Sequence, residues 1–228
     1  MNLQPLWEIT HYLSAKNNIV GKYISNPWES KDLSNYEKHM CLKNVYQLQS
    51  LNFIMKEQFD SYPVSSVMIL GIAGGNGLEH ITHQKYKKIY GVDVNQDYLT
   101  KCRLRYAHLD TVFKTIHADL SAENLLLPNT ELLIANLLIE YIGYECFQKV
   151  VKIVNPKYVS CVIQINTDDS FVSDSPYIHS FDCLDKVHHQ MEEKELMNHM
   201  QEIGYQSVLT KEKSLPNGKK LIRIDFTN

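Results

Sequence analysis

Val67–His80, reading VMILGIAGGNGLEH, decides how the rest of the chain is read. An apolar run rich in Val, Ile and Leu meets a cluster of glycines, and a second apolar segment follows. That order predicts a buried strand, a tight turn and a helix starting near Asn76. Gly71, Gly74, Gly75 and Gly77, with the small Ala73, permit positive φ and a close approach of backbone to ligand. N–H groups at a helix N-terminus would favour an anionic group there. Asp93 closes the motif GVDV about twenty residues on, the spacing at which a carboxylate accepts two ribose hydroxyls in a βαβ unit. The stretch reads as a nucleoside-binding turn. A dinucleotide fingerprint is excluded, because its third glycine would fall on Asn76 or His80, and no Gly-Lys-Ser/Thr of a phosphate-binding loop follows.

Working outward, strands are expected at Val67–Leu70, Lys88–Val94, Val112–Ala118, Glu131–Asn136 and Tyr158–Ile165. Helices are expected at Gln96–Ala107 and Tyr141–Val154. Strands at such intervals with helices between them predict a parallel sheet covered on both faces. Asp93, Asp119 and Asn136 then fall at strand ends and converge on one crevice, where ligands of such sheets sit. Beyond the fifth strand, 166–190 is a polar insertion holding Asp168, Asp169, His179, His188 and His189. A helix over Glu192–Ile203 ends at Gly204, which suits a left-handed cap. Tyr205–Lys213 and Lys219–Phe226, joined through Asn217-Gly218, read as a hairpin.

Residues 1–62 differ in texture, with many aromatic and polar residues and no strand-like alternation. A helix around Leu6–Leu13 is interrupted by Gly21 and the Ser25-Asn26-Pro27 turn. Ser34 with Glu37 suits a capping box, and an apolar run from Leu42 to Phe59 stops at Pro63. Two readings stand: a helical layer packed on the sheet, or a lid or cap that brings Trp7, Tyr12, Trp28 and Tyr36 to a substrate. The division expected is therefore 1–62 and 63–228.

The chain has 228 residues, 44% hydrophobic and 21% charged, with a net charge of −3. That balance leaves no electrostatic footprint for nucleic acid. No apolar run approaches the ~18 residues a bilayer span requires. Five scattered cysteines without a C-x-x-C pair, and no signal-peptide layout at the start, make a cytoplasmic location the expectation.

In turn, strand-end carboxylates and terminal hairpin, Val67–Phe226 resembles the class I S-adenosylmethionine-dependent methyltransferases. The resemblance implies an α/β fold, a Rossmann-like seven-stranded and mostly parallel sheet with a C-terminal antiparallel hairpin. It implies S-adenosyl-L-methionine as cofactor, with Gly71, Ile72, Ala73 and Gly75 around its methionine part. Asp93 would hold the ribose, Asp119 and Leu120 the adenine, Val94 and Leu137 would lie beside the adenosine, and Asn136 would face the methyl group. The chain departs from the family pattern at Ile69, where an acidic residue is usual, and at Ala73, where the second glycine falls.

A sulfonium donor needs little from the protein beyond alignment of the acceptor, exclusion of water and, for some acceptors, a base. Asn136, Glu140 and Tyr141 are the catalytic candidates, although Glu140 is better explained as favouring the N-terminus of its own helix. The sequence Asn136-Leu-Leu-Ile-Glu140 is not the Asn/Asp-Pro-Pro-Tyr/Phe loop of DNA and protein amino-methyltransferases. The histidines of the insertion are further candidates for a proton acceptor. Asn136, Asp168 and Asp169 outline a Mg²⁺ set, but a polar surface loop explains them as well, and no metal is expected. The reading is methyl transfer to a small-molecule O or N acceptor, with no nucleic acid and no membrane as partner. A non-catalytic cofactor-binding module or a protein methyltransferase are the alternatives.

Overall fold

The computed structural model describes residues 26–166 and 176–228. The helix expected around Leu6–Leu13, with Trp7 and Tyr12, and the pair Asp168 and Asp169 lie outside the described residues. The elements run α1 (Leu33–Cys41), α2 (Gln47–Ser61), β1 (Ser66–Leu70), β2 (Lys88–Asp93), α3 (Gln96–Arg105), β3 (Phe113–His117), β4 (Leu132–Asn136), α4 (Ile139–Val154), β5 (Tyr158–Ile165), α5 (Glu193–Glu202), β6 (Gln206–Ser214) and β7 (Lys220–Thr227). One seven-stranded sheet has the order β3-β2-β1-β4-β5-β7-β6. β1 to β5 pair in parallel, and β7 enters antiparallel between β5 and β6.

Alternation along the central strands divides the core into two layers, since successive side chains point to opposite faces. Val67 and Ile69 of β1 pack with Met55 and Phe59 of α2 and with Leu99 and Cys102 of α3. Met68 and Leu70 face Phe147 and Val151 of α4 and Leu196 and Met200 of α5. Burying a side chain of this size contributes about 1.5–3 kcal/mol. α2 is also tied to the hairpin: Arg223 donates to Ser61 Oγ at 2.9 Å, and the Tyr62 hydroxyl donates to Asp225 at 2.8 Å. Helix α2 is thus a structural layer of the sheet.

Three local expectations are corrected. No α-helix starts near Asn76; the chain makes only a short 3-10 turn, Leu78–His80. Gly77 takes φ 92°, and a Cβ there would meet Met55 Cβ at 2.7 Å, so α2 fills the space such a helix would need. Asp32, rather than Ser34, caps α1 by accepting the Asn35 N–H at 2.9 Å. The apolar run Leu42–Phe59 is broken at Tyr46, which adopts φ 56°. Two expected features stand as read: Gly204 follows α5 at φ 89°, and Gly218 turns the hairpin at φ 83°.

Helix α4 begins two residues earlier than Tyr141 and is interrupted at Gly143 (φ 75°, ψ 166°). The interruption leaves the Glu140 carbonyl to accept the His189 N–H at 2.7 Å. Among the described residues, no helix is long and apolar enough to cross a membrane.

Candidate active site

The strand ends open onto a cavity of about 720 Å³. Gly71 and Ala73 after β1, Asp93 and Val94 at β2, Asp119 and Leu120 after β3, and Asn136 and Leu137 at β4 all line it. Two of these non-glycine residues hold left-handed φ, Ala73 at 47° and Leu137 at 53°, a conformation that collects at ligand sites. Burial pushes the Asp93 carboxyl up from its ordinary range, and the amides it accepts pull it back. It takes the Ala73 N–H and the Asn95 N–H, each at 2.9 Å, which fixes the turn against β2. Asp119 spends one oxygen on Ser121, leaving the other available. Asn136 forms a reciprocal amide pair with Gln58 of α2, both bonds 2.9 Å, which sets its orientation.

Ile72 and Gly75 stand apart from that group. The Ile72 side chain lies in the core against Gly91, and the residue lines a neighbouring cavity of about 510 Å³. Gly75 lines none of these cavities; it holds φ 85°, and a Cβ there would strike Tyr106 and Cys102, so its demand is backbone conformation and packing. Ile69 is 3% exposed and serves the α2–α3 core. The neighbouring cavity instead has a carboxylate from α1: Glu37 lies over Gly74 and pairs with Arg105, whose Nη1 also donates to the Gly74 carbonyl at 2.9 Å.

A further cavity of about 550 Å³ shares Trp28, Tyr36, Leu137 and Tyr141 with the first and adds His39, Gln164, Phe181, His188 and Glu140. Trp28 stands edge-on to Tyr36 and Tyr141, with centroids 5.9 and 4.9 Å away. Glu140 is 3% exposed. Its Oε1 accepts the Gln164 N–H at 2.7 Å, and Oε2 has no partner among the described residues. Desolvation pushes this carboxyl up to about 7. His188 is driven down to about 4, chiefly by burial. His179 is exposed and lines neither cavity, and His189 serves through its backbone.

Sequence reasoning missed Tyr98, Asn95 and Gln58. Tyr98 lines the first cavity and Trp28 borders both; the buried Tyr98 hydroxyl and Trp28 indole N–H have no hydrogen-bond partner among the described residues. Asn95 caps α3 and also donates to the Trp28 and Lys31 carbonyls at 2.9 and 3.1 Å. Lys31 reaches on to the Ser180 carbonyl at 2.6 Å. Trp28–Lys31 therefore strap the end of β2 to the segment after β5. Asn95 carried a helix-cap signal in the sequence; Gln58 and Tyr98 carried none. Among the described residues, no cluster of His, Cys, Asp or Glu is arranged to hold a metal ion.

No family model and no curated protein matches the chain. Solved structures do match in fold. Magnesium protoporphyrin IX methyltransferase of Synechocystis PCC 6803, with bound SAH, superposes at TM-score 0.66 and 11% identity, over 91% of this chain and 100% of its own. The N-methyltransferase NodS of Bradyrhizobium japonicum WM9, in complex with S-adenosyl-L-homocysteine, gives 0.61 at 13% identity, over 90% and 99%. The [4+2]-cyclase SpnF gives 0.59 at 7% identity, over 78% and 80%. The chain has the fold of the class I S-adenosylmethionine-dependent methyltransferases.

Proposed function

We propose that the protein is an S-adenosylmethionine-dependent methyltransferase acting on a small-molecule acceptor. The observation that carries this reading is the pair of adjoining cavities at the carboxyl ends of the strands, one edged by Asp93 and Asp119 and the other by Glu140. The residues present fit such a donor. Asp93 offers carboxylate oxygens for two ribose hydroxyls, Asp119 an acceptor for an exocyclic amine, and the partnerless Tyr98 hydroxyl a further polar contact. Glu37 and Arg105 would place opposite charges beside an amino-acid moiety, in the absence of an acid at residue 69.

When bound, the donor supplies a methyl carbon already activated for in-line displacement. The chain's part is to align and to desolvate. Asn136, held by Gln58, would form a fixed polar wall. Trp28, Tyr36 and Tyr141 would seat the acceptor and exclude water, with the Trp28–Lys31 strap closing over it. Glu140 would hold or take a proton at Oε2.

Calorimetric titration with S-adenosylmethionine and S-adenosylhomocysteine, with NAD as control, tests the donor site: the first two should bind and NAD should not. A cofactor-binding protein that does not transfer methyl groups is the second reading. It is favoured by Ile69 and by the [4+2]-cyclase among the structures of this fold. Formation of S-adenosylhomocysteine with any acceptor separates the two. Methylation of a protein is less well matched, since Glu140 lies almost fully buried in its cavity.

A further inference from the structure

Among the described residues, Oε2 of Glu140 is a buried carboxyl oxygen without a hydrogen-bond partner. Leaving a buried acceptor unpaired costs about 1–3 kcal/mol, and more when it is charged. Such a cost calls for a partner that the described residues do not supply. The other titratable groups facing it do not provide the missing charge. Tyr36 from α1 and Tyr141 from α4 are pushed up by burial and remain neutral phenols. His39 from α1 and His188 from the segment after β5 are pushed down by burial and stay uncharged at neutral pH. Lys219, buried on the hairpin, bears on those two histidines and does not line the cavity. Among the described residues that line the cavity, Glu140 is thus the one able to carry charge at neutral pH. It shares the cavity with Trp28, Tyr36, Tyr141 and Phe181, aromatic rings whose faces attract cations.

We propose, resting on the methyl-transfer reading, that the acceptor is a small molecule bearing a basic amine, bound through Glu140 Oε2 against Trp28 and Tyr141, with that nitrogen as the methylated atom. The ammonium first gives its proton to the Glu140 carboxylate, which frees the nitrogen lone pair. That pair forms the N–CH₃ bond while the S–CH₃ bond breaks and its electrons remain on sulfur. The products are a methylammonium and the neutral thioether, and Glu140 returns its proton to solvent.

The test is calorimetry in the presence of saturating S-adenosylhomocysteine, with phenethylamine, tryptamine and N-methylphenethylamine set against 2-phenylethanol and 3-phenylpropanoic acid. The amines should bind at least tenfold more tightly than the alcohol or the acid. Amine affinity should rise about tenfold between pH 6 and pH 8 as the carboxyl ionises. Glu140→Gln should lose the amine at least tenfold while keeping its affinity for S-adenosylhomocysteine. Equal or better binding of the alcohol or the acid, no binding by any amine, or an affinity flat across that pH range would each overturn the proposal. The pH series uses the unaltered protein, so it stands even where the variant does not fold. Failure of S-adenosylhomocysteine itself to bind would instead remove the underlying donor reading.

Discussion

The two cavities that meet at Trp28 are built in different ways. The one edged by Asp93 and Asp119 takes its polar edge from strand ends, β1 to β4 each adding residues just where the strand stops, and is completed by Trp28, Tyr36, Tyr98 and Tyr141. The one around Glu140 is assembled from pieces distant in sequence: α1, the first turn of α4, Gln164 on β5 and the segment at Phe181–His188. The first is a product of sheet topology and tolerates little change. The second is a product of side-chain packing between loops and helices, where function varies while a fold persists.

That contrast can be broken or sharpened by substitution. Asp93→Ala should have the largest effect, about a thousandfold loss of S-adenosylhomocysteine affinity, or ~4 kcal/mol. Calorimetry reads the loss, and a retained cooperative melt would show the fold intact. Undiminished affinity would end the assignment of the first cavity to the donor.

Glu140 should come next, through an effect on stability beside its effect on amine binding. Its carboxyl has an ordinary value of 4.5 and is raised to about 7 by burial in the folded chain. Between those values the folded state binds more protons than the unfolded state, so stability is greatest below about 4.5 and falls as pH rises toward 7. The difference is up to about 3 kcal/mol. Glu140→Gln should therefore be more stabilising at pH 8 than at pH 4.5 relative to the unaltered chain, as measured by urea denaturation at both. An identical increment at the two pH values would mean that the carboxyl is not held in an apolar setting.

Trp28→Ala should weaken both ligands by roughly tenfold each, about 1.4 kcal/mol, because the residue lines both cavities. Loss of one ligand alone would show the cavities to be energetically separate. Asn95→Ala should be the mildest change, costing about 1 kcal/mol as a lost helix cap. Faster hydrogen exchange at 28–31 would reveal the released strap, since Asn95 holds two of its carbonyls.

The same contrast explains what was legible in the sequence. Alternating apolar strands and a polar residue at each strand end are local signals, and they place Asp93, Asp119 and Asn136 at one cavity without knowledge of any contact. The missing helix after the glycine turn is a tertiary effect: Met55, more than twenty residues earlier, occupies the space beside Gly77. The capping error has a local cause, since Asp32 and Ser34 are both good caps and only the extended backbone at Asp32 decides between them. Glu140 reads from sequence mainly as a residue favouring the N-terminus of its own helix, because neither its burial nor the contact with Gln164 leaves a trace in neighbouring residues. Gln58 looks like one more polar position on a helix until Asn136 meets it across the sheet.

The break at Gly143 gives α4 two beginnings. The turn that carries Glu140 and Tyr141 is fastened less by its own helix than by two outside threads, the His189 N–H on the Glu140 carbonyl and the Gln164 N–H on its carboxylate. Drift in the loop ahead of His189 can therefore re-aim the carboxyl by a fraction of a turn while every strand keeps its register. A lineage of this fold could change what it recognises by editing that loop, with the cavity edged by Asp93 and Asp119 inherited intact.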